Sequence, residues 1–147
     1  MPATHDPHVF HTSLEWAGEK KGIIRSPDNP DVAVAAPPEF DGHIGLWSPE
    51  ELLLSSVETC TLLTFLWFVN KQRLTLISYH SKTTGTITSV DHAFQFTDIT
   101  VNITIEVRSD HDKTMLEKNI PRIERACLVS NTLKPVVHLI VDIKVSK

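Results

Sequence analysis

The sequence predicts an α+β fold. Segments typical of strands come in runs, first within residues 10–35 and again within residues 74–107, and do not alternate one by one with helices. Between the two runs lies a long apolar segment that opens with a helix-capping pattern. The chain has 147 residues, 41% hydrophobic and 22% charged, which is enough to bury one core. We therefore expect a flexible tail over residues 1–9 and a single domain over residues 10–147.

The first run predicts a small group of short strands. Residues 10–16 and 23–26 are typical of two strands, and the glycine-flanked segment 18–22 between them is typical of a hairpin turn. Residues 32–35 predict a third short strand. The following segment, residues 37–45, is rich in helix- and strand-breaking residues and predicts a loop.

The apolar segment predicts a helix from Pro49 to about Asn70. Ser48 can cap its first turn, Pro49 suits the first helical position, and Glu51 completes a capping box. Apolar side chains recur on both sides of this helix, at Leu53, Val57, Cys60, Thr64 and Trp67 on one side and at Leu62, Phe65, Leu66 and Val69 on the other. Such a helix is expected to be central and buried on both sides, with a partner subunit as one possible cover.

The second run predicts two long antiparallel strands. Residues 74–88 are rich in threonine and isoleucine, and residues 94–107 alternate apolar with polar side chains. A turn is expected near residues 90–92, and residues 136–145 predict a final strand.

Helices are expected between the last two strands. Ser109 and Asp110 mark a helix start, because a capping side chain and early acidic residues favour a helix N-terminus. Pro121 is expected to break the helical pattern, since proline removes a backbone donor. We therefore expect two pieces, 111–118 and 121–129.

The composition argues against several classes of partner. The net charge of −4 gives no electrostatic support for nucleic-acid binding, and no polybasic patch indicates a membrane surface. The longest apolar stretch, residues 62–69, is too short to span a bilayer. The N-terminus shows no signal-peptide pattern, so we expect a reducing, cytoplasmic setting.

No cofactor or metal is expected. The chain has no phosphate-cradling glycine loop and no nucleophilic serine elbow. His5, His8 and His11 recur every three residues, but Pro7 argues against a helix that would align them as metal ligands.

The two cysteines allow two interpretations. Two are too few for a structural disulfide framework in a chain of this length. Cys60 and Cys127 are therefore either small buried apolar side chains or a redox-active pair.

The segments around both cysteines resemble one known family. The Pro49-Glu50 pair lies ten to eleven residues before Cys60 on the same helix, which is similar to the helix signature of the OsmC/Ohr family. The segment from Ala126 to Leu133 resembles the family's second-cysteine segment, with Leu128 in place of the usual proline. The resemblance covers nearly the whole chain from about residue 9.

The resemblance implies an intertwined homodimer in which antiparallel sheets wrap around two central helices. It also implies that Cys60 attacks an organic hydroperoxide and becomes a sulfenic acid, which Cys127 converts to a disulfide. An external dithiol would then reduce that disulfide.

The implied mechanism needs a positive charge near Cys60, because an ordinary cysteine is mostly protonated at neutral pH and burial favours the neutral form. In the family, an arginine of the N-terminal hairpin, held by the helix glutamate, has this role. Glu50 matches the glutamate, while Lys20 and Arg25 are the candidate cations. Lysine lacks the bidentate fork of arginine. This departure leaves an alternative, an OsmC-fold binding or structural protein without efficient peroxidase activity.

Overall fold

The computed structural model describes residues 6–147, and these form two compact units, each described here by itself. The first unit ends at Leu53 and the second comprises Leu54–Lys147. Within the described residues there are three α-helices and two three-stranded sheets, which confirms the α+β prediction. Residues 6–9 of the predicted tail form no helix or strand, whereas residues 1–5 lie outside the described part.

The sheet of the first unit is antiparallel and confirms the predicted hairpin. Strand β1 (Ser13–Trp16) pairs with β2 (Lys21–Arg25), which pairs in turn with β3 (Val32–Ala35). The turn between β1 and β2 needs left-handed backbone, and Gly18 adopts it with φ of 90°. A short 3-10 helix, Pro38–Phe40, occupies part of the predicted loop.

Helix α1 (Pro49–Lys71) begins and ends close to the predicted positions. Its capping box is formed in full: the Ser48 hydroxyl accepts the Glu51 backbone N–H at 3.1 Å, and the Glu51 carboxylate accepts the Ser48 backbone N–H at 3.0 Å. These bonds satisfy donors that the first helical turn leaves without partners. The helix is long and apolar enough to cross a membrane by length and composition alone, although the core helix of a soluble protein meets the same criterion.

The second unit contains a sheet in the order β4 (Leu76–Val90), β5 (Ala93–Val107) and β6 (Val137–Val145). Asp91 and His92 form the tight turn between β4 and β5, both with positive φ, as expected for a two-residue hairpin loop. Strand β6 runs parallel to β5. The expectation of antiparallel sheets is therefore wrong for this pair, because the helices after β5 form a crossover that returns the chain to the same end of the sheet.

The predicted break at Pro121 is wrong. Helix α2 (Asp110–Ala126) continues through this proline, and a separate short helix, α3 (Leu128–Thr132), follows. Leu116 and Ile123, on either side of the proline, are both fully buried. Their packing holds both turns on the core, which outweighs the one backbone hydrogen bond that proline cannot make.

The core of the second unit lies between α1, α2 and the sheet. In the second half of β5, every second residue is almost fully buried, as the alternation predicts: Ile99, Val101, Ile103, Ile105 and Val107. Val57 and Phe65 of α1 belong to the same cluster. Elsewhere on α1, Leu63 is 58% exposed and Trp67 is 37% exposed among the residues that the structure describes. The expectation that α1 is buried on both sides, with a partner subunit as one possible cover, stays a prediction.

Loss of the capping box should destabilise the protein measurably. We expect Ser48→Ala to lower the free energy of unfolding by about 1 kcal/mol, because it removes a buried capping hydroxyl. Denaturant unfolding followed by circular dichroism measures the change. Ser56→Ala, at an exposed position of the same helix, is the control and should leave stability nearly unchanged. Equal stabilities of the two variants would contradict the importance of the cap.

Candidate active site

The structure brings Cys60 and Cys127 together in the second unit. Cys60 lies in the middle of α1 and is partly exposed, whereas Cys127 is 3% exposed. Cys127 is the single extended residue between α2 and α3, with φ of −70° and ψ of 106°. Both are free thiols, and each lies close enough to act on the pKa of the other.

Backbone N–H groups at the start of α3 point at the two sulfurs. The N–H of Val129 donates to Cys60 Sγ at 3.5 Å, and the N–H of Leu128 also acts on Cys60. The next N–H, that of Ser130, acts on Cys127. The first N–H groups of a helix have no acceptor within the helix, so the sulfurs satisfy donors that would otherwise be unpaired.

Two hydroxyl groups contact Cys127, and they are not equivalent. Ser130 Oγ donates to Cys127 Sγ at 3.1 Å. Thr61 Oγ1 lies 3.8 Å from the same sulfur, but its proton is directed to the Val57 carbonyl at 2.7 Å. Since a hydroxyl has a single proton to donate, Ser130 is the principal side-chain donor to Cys127.

The pKa values of the two thiols are shifted in opposite directions. Burial raises the pKa of Cys60, and the Val129 N–H offsets only part of this effect. Burial would also raise the pKa of Cys127, but the Ser130 hydroxyl and N–H, together with Cys60 and Thr61, lower it below its ordinary value. The hydrogen bonds to Cys127 therefore favour its thiolate form, whereas burial favours the neutral form of Cys60.

This arrangement suits thiol redox chemistry. One sulfur is accessible enough to meet a small molecule, and the other is buried beside it, where hydrogen bonds lower its pKa. A thiolate adjacent to a second cysteine can form a disulfide once its neighbour is oxidised.

A half-buried tyrosine lies near the pair. Burial raises the pKa of Tyr79 on β4 to about 12, the Ser81 hydroxyl opposes this, and the charges of Glu58 and Cys127 add to it. The Tyr79 ring packs against Phe65 of α1, with 5.8 Å between centroids. Ser81 Oγ donates to the Glu58 carboxylate at 3.4 Å, so this face of β4 carries polar groups toward α1.

The three other predicted site residues lie in the first unit. Lys20 Nζ donates to the Phe40 carbonyl at 3.0 Å. The Arg25 guanidinium is bound to Glu15 at 2.6 Å and to Asp31 at 3.2 Å, and these carboxylates raise the pKa of Arg25.

Glu50 retains a buried oxygen available for a partner. Its Oε2 atom is buried and has no hydrogen-bond partner among the described residues. Because the cysteines and these three residues belong to different units, the roles predicted for Lys20, Arg25 and Glu50 stay predictions.

Within residues 6–147, no group of three or more His, Cys, Asp or Glu side chains is placed to hold a metal ion. The sequence reasoning had not identified Ser130, Thr61 or Tyr79. Ser130 lies three positions after Cys127, and Thr61 directly follows Cys60. This closeness in sequence was the only signal that could have pointed to these two hydroxyl residues. Tyr79 gave no such signal.

The OsmC-like protein family matches residues 42–142 of the chain. This match covers more than half of the sequence, and the chain therefore belongs to the OsmC-like protein family. The resemblance noted around the two cysteines is thus confirmed.

Individual relatives agree with this placement. YmaD, an uncharacterized protein of Bacillus subtilis (strain 168), is 23% identical over 137 residues, which are 90% of this chain and 91% of YmaD. A solved structure of an OsmC-like protein of unknown function from Vibrio cholerae O1 biovar eltor has a TM-score of 0.85 at 16% identity and covers 92% of this chain and 100% of that chain. An organic hydroperoxide resistance protein from Elizabethkingia anophelis has a TM-score of 0.72 at 12% identity, covering 97% and 100%. At these identities the structures show a common fold.

Because the pKa of Tyr79 is raised in the folded protein, we expect this residue to lower the stability of the protein at alkaline pH. The unfolded chain ionises its tyrosine near pH 10, whereas the folded chain does so at about 12. The unfolded state therefore binds fewer protons between these values, and stability falls as pH rises. We expect Tyr79→Phe to remove about 1 kcal/mol of this fall, less than a fully buried group would give because the side chain is partly solvated.

Urea unfolding of the wild type and Tyr79→Phe at neutral pH and at several alkaline values measures this difference. The other titrating groups are common to both proteins, so the difference between the two curves isolates Tyr79. Parallel pH dependences would show that the folded protein does not perturb this phenol.

Proposed function

We propose that the protein is a cysteine-based peroxidase that reduces organic hydroperoxides and so takes part in oxidative-stress defence. The observation that supports it is the proximity of the partly exposed Cys60 to the buried Cys127, close enough for each thiol to act on the pKa of the other. Structures with the same fold include proteins called organic hydroperoxide resistance proteins. The catalyst would be the thiol pair itself, without a cofactor.

In the proposed reaction, the Cys60 sulfur attacks the terminal oxygen of the hydroperoxide as its proton leaves. The O–O bond breaks, the alcohol departs after gaining a proton, and Cys60 becomes a sulfenic acid. Cys127 then attacks the Cys60 sulfur, and the S–O bond breaks to give a disulfide and hydroxide. An external dithiol restores both thiols by exchange and is itself oxidised to a disulfide.

The surface beside Cys60 favours an apolar substrate. Leu63 and Trp67 follow Cys60 at helical spacing on α1, and both are exposed. An apolar surface next to the reacting sulfur suits the hydrocarbon part of an alkyl or lipid hydroperoxide better than it suits hydrogen peroxide.

A homodimer forms part of the proposal, and the same side chains support it. Exposed leucine and tryptophan on a long helix lose contact with water when another surface covers them, which is favourable. A second copy of the chain is the partner implied by the family resemblance. We propose a cytoplasmic location, where dithiol reductants are available.

Lys20 and Arg25 are the two candidates for the positive charge that would stabilise a Cys60 thiolate. The Arg25 guanidinium is engaged by two carboxylates, Glu15 and Asp31, whereas Lys20 meets a backbone carbonyl. Neighbouring carboxylates therefore offset the charge of Lys20 less than that of Arg25. We propose Lys20 as the more effective cation for stabilising a thiolate.

A second candidate function is a binding or structural protein without efficient peroxidase activity. The raised pKa of Cys60 and the engagement of Arg25 favour it, because both reduce the fraction of reactive thiolate. The two candidates differ in whether Cys60 reacts with a hydroperoxide faster than a free thiol does.

Thiol counting after treatment with cumene hydroperoxide tests the proposed function. We expect the reduced wild type to lose both of its thiols to an intramolecular disulfide. Cys127→Ser should lose its single remaining thiol to a sulfenic acid, which a dimedone adduct on the Cys60 peptide identifies by mass spectrometry.

Cys60→Ser is the matched control, since it keeps the buried thiol but removes the accessible one. It should retain its thiol under the same conditions. Unchanged thiols in the wild type after long incubation, or oxidation no faster than that of a small free thiol, would exclude the peroxidase and favour the second candidate.

A further inference from the structure

The two sulfurs of the pair have very different surroundings. Cys127 is 3% exposed and accepts a hydrogen bond from the Ser130 hydroxyl at 3.1 Å, while the more exposed Cys60 accepts one from the Val129 backbone N–H at 3.5 Å. A hydroxyl donates strongly to an ionised sulfur, and the bond strengthens where water is excluded. The Ser130 hydroxyl therefore favours a negative charge on Cys127 and offsets the opposing effect of burial.

We propose that Ser130 is a positioning residue that holds the negative charge of the reduced pair on Cys127, so that Cys127 is the base for Cys60 as well as its resolving partner. The base role rests on the proposed function, whereas the location of the charge does not. In the reduced protein the Cys60 thiol donates its hydrogen to the Cys127 thiolate.

The proton can be followed through each step. Cys60 transfers its proton to Cys127 as its sulfur bonds to the terminal oxygen of the hydroperoxide. The O–O bond breaks, and the leaving alkoxide takes the proton back from Cys127 to become an alcohol. Cys127 is then a thiolate again, and it attacks the Cys60 sulfenic acid, closing the disulfide and releasing hydroxide.

The other ionisable groups facing the pair do not explain a charge on Cys127. Tyr79 of β4 lies within electrostatic reach of Cys127 and stays protonated to about pH 12. Glu58 of α1 acts on Tyr79 and is itself acidic. A carboxylate opposes a second negative charge. The hydroxyl and N–H of Ser130 are thus the groups that decide the position of the charge.

Ultraviolet absorbance of the thiolate, followed during a pH titration of the reduced protein, tests the proposal. The chain has one tyrosine, and its high pKa keeps tyrosinate absorbance away from the first thiolate step. We expect this first step below the ordinary cysteine value of about 8.5. It should survive in Cys60→Ser and vanish in Cys127→Ser, whose remaining thiol should titrate above the ordinary value.

Ser130→Ala should lower the thiolate fraction at neutral pH about three- to tenfold, since one hydrogen bond to the charge is lost. Ser130→Thr keeps a hydroxyl and should restore most of the thiolate. Thr132→Ala is the matched control, because its hydroxyl bonds to the Leu128 carbonyl within α3 and not to a sulfur. Thr61→Val should have a smaller effect than Ser130→Ala, because the Thr61 proton is directed to Val57.

A low first step that persists in Cys127→Ser and disappears in Cys60→Ser would overturn the proposal, since the charge would then reside on Cys60. An unchanged titration in Ser130→Ala would overturn the role of Ser130. If Ser130→Ala does not fold, the two cysteine variants and Ser130→Thr still decide where the charge lies.

A kinetic measurement separates this proposal from the proposed function. If the protein reduces cumene hydroperoxide, Ser130→Ala should accumulate the Cys60 sulfenic acid, seen as a larger dimedone adduct than in Thr132→Ala. If the protein does not react with hydroperoxide, the proposed function and the base role fail together, while the titration still reports the position of the charge.

Discussion

The packing of α1 on the sheet of the second unit positions the candidate site. Val57, Phe65 and Phe68 of this helix share a core with the alternate residues of β5, so the helix has little freedom to rotate or slide. Cys60 lies between these anchors, and its sulfur is consequently held against the start of α3. A change that loosened this packing would separate the sulfurs without altering either cysteine.

The one-residue gap between α2 and α3 provides the other half of the site. Because Cys127 is extended, the chain leaves one helix and begins another, and the new helix presents backbone N–H groups that have no partners of their own. Two sulfurs accept them. A continuous helix through Cys127 would have used those N–H groups internally, and the buried thiol would then have been an ordinary apolar side chain.

Burial affects both thiols in the same direction, so the difference between them comes from their hydrogen bonds. Both sulfurs lose solvation, which favours the neutral form. Only Cys127 receives a side-chain hydroxyl at short distance, from Ser130. The more accessible sulfur is thus the poorer acid, and the better acid is shielded from solvent. Cys60 is thus the sulfur that a small molecule can reach, and Cys127 is the sulfur whose hydrogen bonds favour the thiolate.

The sequence by itself determined the features that depend on neighbouring residues: the capping box at Ser48 and Glu51, the alternation of β5, and the β4–β5 turn at Asp91 and His92. These are local because a cap, a pleat and a two-residue turn each involve side chains a few positions apart. Tertiary structure decided the continuity of α2 through Pro121, where buried neighbours outweigh a missing hydrogen bond. It also decided the parallel direction of β6.

The donors to the sulfurs were likewise decided by tertiary structure. Cys60 and Val129 are far apart in the sequence, and no periodicity relates an α1 side chain to a backbone N–H of α3. The family resemblance pointed to Cys60 and Cys127, but it could not show which sulfur has the stronger donor. That depends on distances of a few tenths of an ångström, which only the packing of separate elements sets.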